Sequence, residues 1–368
     1  MSAAVTTPSQ PSQPSQPERL ARVRRSTRSS YVGLALSVVL IVTLAIGPFA
    51  FLTKGNQQNL VTLFIYIILG TMWNLLAGYA GMVSIGQQAF IGIGAYGIVY
   101  AADILGVGLL VAIPLALVIS GVIAYLVSFL AFRLSGGYFA IGTWVIAEVI
   151  KLVTTQVQTL GAGSGISLSV FKGYKPEIRI ATIDWIALAA VVVSVVVTYL
   201  LLRSRLGAGF TAVRDDATAA STLGVNVTLS KRIVWVVSAM GCGLAGVLLA
   251  MSTLNVQPDS VFSIKYTAFM IFIVVIGGIG TIEGPILGAV VFFALEQWLG
   301  NIGVWYLVIL GAVAIGMVLF APKGLWGLIS RGGRLQLFPT GLRLVTPLPA
   351  TLSDPPPGTP PTPDTEEV

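Results

Sequence analysis

Long apolar runs, broken by short polar or glycine-rich segments, make up most of the chain. They recur near 31–52, 60–80, 86–103, 109–132, 137–153, 184–202, 233–252 and 304–320. A helix crossing a hydrocarbon core about 30 Å thick needs about 20 mostly apolar residues, and these runs supply them. The stretch 266–299 differs, because Gly277, Gly278, Gly280, Gly284 and Pro285 split it into two halves. At about 1.5 Å per residue each half covers roughly 23 Å, so the pair is either two short tilted spans or a re-entrant hairpin. The pattern predicts an all-α fold: a polytopic transmembrane helical bundle of about ten spans, or eight plus a re-entrant pair.

The first run, Tyr31 to Leu52, is too long for a signal-peptide core and lacks a small-x-small cleavage site, which predicts a retained span. Residues 1–30, with Pro-Ser-Gln repeated from Pro8 to Pro17 and arginines following, predict a disordered tail. Residues 331–368 predict a second, Pro-rich tail. Between them, 31–330 forms the membrane domain, with a loop at 203–232 and another at 154–183.

Composition sharpens this picture. Of 368 residues, 55% are hydrophobic and 10% charged, far below the roughly one quarter charged of soluble domains. The net charge of +7 does not point to nucleic acid, because basic residues cluster at the ends of apolar runs. Lys54, Lys151, Lys172, Lys175, Arg179 and Lys265 fall at or beyond one face in a ten-span arrangement. Every other basic residue falls on the opposite side. The positive-inside rule makes that side cytoplasmic, with both termini and 203–232 inside and 154–183 outside. Asn226-Val227-Thr228 matches a glycosylation acceptor but falls in the cytoplasmic loop, so that reading is set aside.

Chemistry is sparse. The chain has no histidine and one cysteine, Cys242, read as a small core residue. These absences remove an intrachain disulfide, the commonest metal ligand and the usual general base, and no metal site is expected. No phosphate-binding GxxxxGK[ST] loop occurs, so neither ATP hydrolysis nor a cofactor is expected on this chain.

Inside the runs, Gly86, Gly92 and Gly94 form one interruption and Gly278 and Gly280 belong to the other. Paired breaks in two halves of a transporter point to its substrate path, which favours that role for the two regions as units, while any single glycine is more often a close-packing device. Asn74, Gln87, Gln88 and Trp144 are hydrogen-bonding groups in membrane runs, suited to lining a path or to tying helices together. Glu148, Glu283 and Glu296 are membrane or boundary carboxylates and hence candidate functional groups. Lys151 stands three residues after Glu148, a spacing that allows a helical ion pair. Glu296 is a candidate proton or cation site.

In loop 203–232, Phe210, Val213, Ala217 and Ala220 recur at helical spacing, with Arg214, Asp215, Asp216 and Thr218 opposite. Gly224 is the expected helix stop. This short helix either docks a soluble partner or lies in the lipid interface, and its alanine-rich apolar face and mixed charges favour docking.

The string Ala219-Ala220-Ser221-Thr222-Leu223-Gly224 resembles the coupling loop of ABC importer permeases. The longer run from Ala212-Val213-Arg214-Asp215-Asp216 to Gly224-Val225-Asn226-Val227 resembles the LivM-like permeases for branched-chain amino acids. Asn74 to Gly81, Ser84 to Tyr96, Gly277 to Ala289 and Leu319 to Leu325 are similar to that family in the same order. The resemblance spans about residues 60–330. It implies an inner-membrane permease subunit working with two ATP-binding cassette subunits, a second homologous permease and an extracytoplasmic solute-binding protein. Leucine, isoleucine or valine is the implied cargo, with urea or a short amide as the alternative. An ion-coupled transporter using Glu148 or Glu296 would not explain the cytoplasmic helix. An intramembrane enzyme has no catalytic set to draw on.

Overall fold

The computed structural model describes residues 39, 41–47, 53–300, 303 and 305–330, with the backbone of two short strands. Those strands, β1 (Val23–Arg24) and β4 (Arg343–Leu344), pair antiparallel and belong to a small unit separate from the bundle. The sequence reading foresaw no such pair. The rest of both expected tails lies outside the described residues, as does most of the expected first span, of which 41–47 is helical.

The second unit is helical. Its elements are α1 (Lys54–Asn74), continued by a π-helical turn Leu75–Tyr79; α2 (Gln88–Val99), continued by a π turn Tyr100–Ile104; α3 (Leu109–Ala131); and α4 (Gly137–Gln156). Then come α5 (Pro176–Arg203), α6 (Arg205–Asp215), α7 (Ala217–Thr222) and α8 (Val227–Thr253). A short α9 (Pro258–Val261) precedes α10 (Ile264–Gly277), α11 (Glu283–Leu299), α12 (Trp305–Phe320) and α13 (Gly324–Ile329). Among the described residues, seven helical stretches are long and apolar enough to cross a membrane: Gly55–Tyr79, Leu109–Ala131, Gly137–Gln156, Pro176–Arg203, Val227–Thr253, Pro258–Gly277 and Trp305–Ile329. Gln88–Ile104 is a shorter apolar helix.

The stretch 266–299 is therefore two separate helices. They turn at Gly278 (φ +124°) and Gly280 (φ +76°), and close approach locks them together. A Cβ on Gly277 would sit 1.9 Å from the Gly284 carbonyl, and one on Gly288 would sit 2.0 Å from that of Ile273. Only residues without side chains allow backbones this near, and in lipid such packing replaces hydrophobic burial as the force between helices.

Two aromatic clusters fill the interior. Trp235 makes edge contacts with Phe90, Phe132 and Phe139 and donates its indole N–H to the Ala124 carbonyl (2.9 Å). Tyr66, Phe269 and Phe292 form the other. α3, α4 and α12 turn apolar faces outward, with Leu110, Tyr138 and Phe320 strongly exposed, as lipid contact requires.

The connections sort into two ends. At one end Asp103 accepts from the amide and hydroxyl of Ser169, and Lys151 pairs with Asp259 at 2.8 Å. There too β2 (Ile166–Ser167) pairs with β3 (Asn255–Val256). At the other end lie the segment after Tyr79, helices α6 and α7, the Gly278–Gly280 turn and α13. The expected helical pair of Glu148 with Lys151 is not formed: Lys151 reaches across to Asp259, whose exposed carboxylate on α9 offers a better-placed partner.

Candidate coupling and translocation site

The expected single helix across 210–220 is two helices. Asp216 leaves the helical region (φ −155°, ψ 109°), and its Oδ1 accepts from the amides of Thr218 (2.8 Å) and Ala219 (3.0 Å). An aspartate that caps a new helix ends the previous one, because its backbone must be extended to present its side chain. α7 stops where expected. Gly224 has φ +83°, its amide donates to the Ser221 carbonyl (3.0 Å), and Val225 donates to that of Ala220 (3.1 Å). This is a Schellman stop with glycine at the left-handed position.

The break changes which face is free. Phe210, Val213 and Ala220 are buried against the chain's own bundle, and Ala217 is half-buried. Asp215, Thr218, Ala219, Ser221, Leu223 and Gly224 are exposed, with Leu223 at 81%. The apolar face foreseen as a docking face is thus an anchor, and the outward face is polar with one protruding leucine.

Arg214 joins this anchor to the bundle. Its Nη1 donates to the Gly78 carbonyl at 2.8 Å, while Nε and Nη2 both reach Asp215 Oδ1 (2.9 and 2.8 Å). Gly78 lies in the π turn after α1, a geometry that shifts backbone carbonyls out of the regular ladder. From the start of that turn, Asn74 Nδ2 donates to the Thr281 carbonyl (2.7 Å) and its Oδ1 accepts from the Gly280 amide (2.8 Å). A Cβ on Gly280 would lie 3.7 Å from Arg214 Nη1, and one on Gly278 would lie 2.8 Å from the Lys323 carbonyl. Asn74, Gly278, Gly280 and Arg214, four residues singled out from the sequence, therefore meet at one junction. Glu283, also buried, opens α11 beside it, where the helix N-terminus favours negative charge.

The other candidates gather deeper. Gly81–Gln87 re-enters the bundle without helical structure and is fastened by Trp73 Nε1 to the Ser84 carbonyl (3.0 Å) and Thr143 Oγ1 to the Ile85 amide (3.2 Å). Gln87 and Gln88 are both fully buried. The Cys242 thiol lies 3.5 Å from Gln87 Oε1, and the Thr267 hydroxyl lies 2.5 Å from Gln88 Oε1. Gly86, Gly92 and Gly94 serve as contact points, since a Cβ there would meet the Thr143 carbonyl, the Phe262 ring and the Gly243 carbonyl at 2.1, 2.3 and 2.0 Å. Trp144 is separated from this group: its side chain is 41% exposed on α4, with Glu148 one turn further on and half-buried. Glu296 accepts from the Tyr66 hydroxyl at 2.7 Å.

Sequence reasoning missed Asp184, a carboxylate inside the apolar α5 that is 2% exposed with Oδ1 unpartnered. A charge within a membrane run is the signal that would have found it. Among the described residues no group of three or more His, Cys, Asp or Glu could hold a metal.

A helical bundle with this many candidate spans and a helix-breaking junction at one end defines a polytopic membrane protein. The family model for the permease component of branched-chain amino acid transport systems matches residues 57–319, and the chain belongs to that family. It is 30% identical over 318 residues to the high-affinity branched-chain amino acid transport system permease protein LivM of Salmonella typhimurium, covering 79% of this chain and 74% of that protein. The LivM protein of Escherichia coli is 29% identical over 314 residues, 78% of this chain and 73% of that protein. A probable branched-chain amino acid transport permease protein LivM of Methanocaldococcus jannaschii is 24% identical over 268 residues, 63% of this chain and 77% of its own length. No solved structure matches the chain.

Proposed function

We propose that this chain is a membrane-spanning permease subunit of an ABC importer that carries branched-chain amino acids by ATP-driven alternating access. In this reading the bundle has about ten spans in the bacterial inner membrane, with both termini and loop 203–232 in the cytoplasm and 154–183 outside. Two ATP-binding cassette subunits hydrolyse ATP, a second homologous permease completes the path, and an extracytoplasmic binding protein delivers leucine, isoleucine or valine.

The observation that carries the reading is the bond from Arg214 to the Gly78 carbonyl. It ties α6 and α7, whose outer face is open to a soluble partner, to the two helix breaks that Asn74 holds together. A partner that pushes on α7 moves α6 with it, and the junction passes that displacement to α1, α10 and α11 as packed, bistable elements. The apolar face of Phe210, Val213 and Ala220 makes the push effective, because it roots both short helices in the bundle.

Proteoliposomes holding the full set of subunits test this. Labelled leucine accumulates when ATP is enclosed, and an ion gradient without ATP leaves it outside. Uptake driven by the gradient alone would overturn the ABC reading, and ATP-driven uptake of urea but not leucine would overturn the cargo.

A further inference from the structure

The sequence break before α2 does more than interrupt a helix: it places a helix N-terminus inside the bundle. Gln87 lies against Cys242, which is about 22 Å along α8 from Val227 and about 17 Å from Thr253 at the usual helical rise. α2 therefore begins near mid-depth. Its N-terminus has no side-chain cap and no acidic residue in the first turn, although the Ala89 and Phe90 amides turn back to the Gly86 and Gln87 carbonyls (both 3.1 Å). An uncapped helix start carries partial positive charge and is suited to an anionic group, the more so where solvent is excluded.

The side chains at this point add a second, independent sign. Gln87 Nε2 and Gln88 Nε2 are buried without a hydrogen-bond partner, although both residues are fully buried. Thr267 has one proton, and it lies within reach of Gln88 Oε1 (2.5 Å) and the Ile85 carbonyl (3.2 Å). Whichever way that carboxamide is turned, one half of it stays unpaired. Buried amides left half-satisfied are costly, and two in succession at an uncapped helix start call for a ligand.

The geometry points to a site for the carboxylate of the transported amino acid, formed by the Gln87 and Gln88 carboxamides at the N-terminus of α2. It rests on the reading of this chain as a branched-chain amino acid permease. Two carboxamide donors and a helix dipole hold a carboxylate without a fixed cation, so the ligand is recognised and then released. In transporters, half-helix N-termini near the midplane are placed to meet anionic substrate groups in this way. Gly92 and Gly94, by seating α2 directly on the Phe262 ring and the Gly243 carbonyl, keep that N-terminus at its depth.

Reconstituted full complexes carrying Gln87→Glu, Gln88→Glu, Gln87→Met or Gln88→Met test the site through ATP-driven uptake of labelled leucine at alkaline pH. Basal ATP hydrolysis and co-purification of the ATPase subunits report intact assembly. A carboxylate site predicts that each glutamate variant loses at least tenfold in uptake and each methionine variant about two- to fivefold, since a negative charge repels the ligand. A purely structural role for these residues predicts that any uptake lost is matched by loss of assembly and of basal hydrolysis, because an unpaired buried charge disrupts the packing around it. Uptake lost only in step with assembly, or wild-type uptake in all four, overturns the carboxylate site and leaves the permease reading standing. No leucine uptake by the assembled wild-type complex overturns the permease reading itself.

Discussion

A guanidinium presents its donors in a fixed planar fork, and Arg214 uses that fork in two directions at once. One arm holds the Gly78 carbonyl and the other grips Asp215, although the side chain is still 38% exposed. The Asp215 pair alone contributes little, as surface ion pairs do. It does fix the fork so that Nη1 is aimed at the π turn. Lysine has a single ammonium and cannot make both contacts from one position. Arg214→Lys is therefore expected to lower ATP-driven uptake at least tenfold while the ATPase subunits still co-purify. Arg214→Ala is expected to behave alike and Asp215→Asn to lose less than threefold. Transport at the wild-type rate by Arg214→Lys would remove this bond from the mechanism. Single side chains of this kind were half legible from the sequence. Arg214, Asn74, Gln87 and Gln88 announce themselves as polar groups in or beside membrane runs. Asn74 and Arg214 find backbone partners up to 207 positions away, and a backbone carbonyl has no signature in a sequence.

Helix breaks set the behaviour of the elements. α7 ends at Gly224 in open space, with nothing within 4 Å of where a Cβ would stand. Substitution there meets only a conformational penalty, about 1–2 kcal/mol for an ordinary residue in the left-handed region. Gly224→Asn is expected to keep near-normal uptake, since asparagine tolerates this geometry, while Gly224→Val frays α7 and uncouples transport from hydrolysis. Equal activity in the two variants would show that the stop is dispensable. Gly78 presents the opposite case. A Cβ there would lie 2.3 Å from Asn74 Oδ1 and 2.8 Å from the Gly280 amide, and backbone cannot give way cheaply. Gly78→Ala is expected to force the Gly278–Gly280 turn off the end of α1, costing several degrees of melting temperature and most of the uptake. Gly55→Ala, on the same helix with open space around it, serves as the control and should be neutral or slightly stabilising. Melting of Gly78→Ala at the wild-type temperature would contradict the close approach. Element positions were largely legible, because membrane length and glycine clusters mark them. The break at Asp216 was not. The apolar spacing of Phe210, Val213, Ala217 and Ala220 continues through it, since a capped restart of about one residue barely alters a helical stripe.

On the scale of the whole molecule, the sorting of connections into two ends carries the charge argument further. Residues 103, 151, 166–169 and 254–259 are tied together at one end by Asp103, the Lys151–Asp259 pair and the short β2–β3 ladder. Arg214 and Lys323 lie with the helix breaks at the other. Most of the basic tail arginines, which weigh most in the count, lie outside the described residues, so orientation rests on the positive-inside rule applied to this two-ended bundle. Two surface positions separate the alternatives cleanly. Ser167 is exposed on β2 at the first end, and Thr218 is exposed on α7 at the second. Cys242 is fully buried beside Gln87, so replacing it by alanine removes background labelling with little change of volume. In a Cys242→Ala background, a membrane-impermeant thiol reagent applied to intact spheroplasts is expected to label Ser167→Cys and spare Thr218→Cys. Permeabilisation should then expose Thr218→Cys to the same reagent. Labelling of Thr218→Cys before permeabilisation, with Ser167→Cys protected, would invert the whole bundle. It would put α6, α7 and the Arg214 junction on the side where no ATPase can reach them, and the coupling reading could not survive that result.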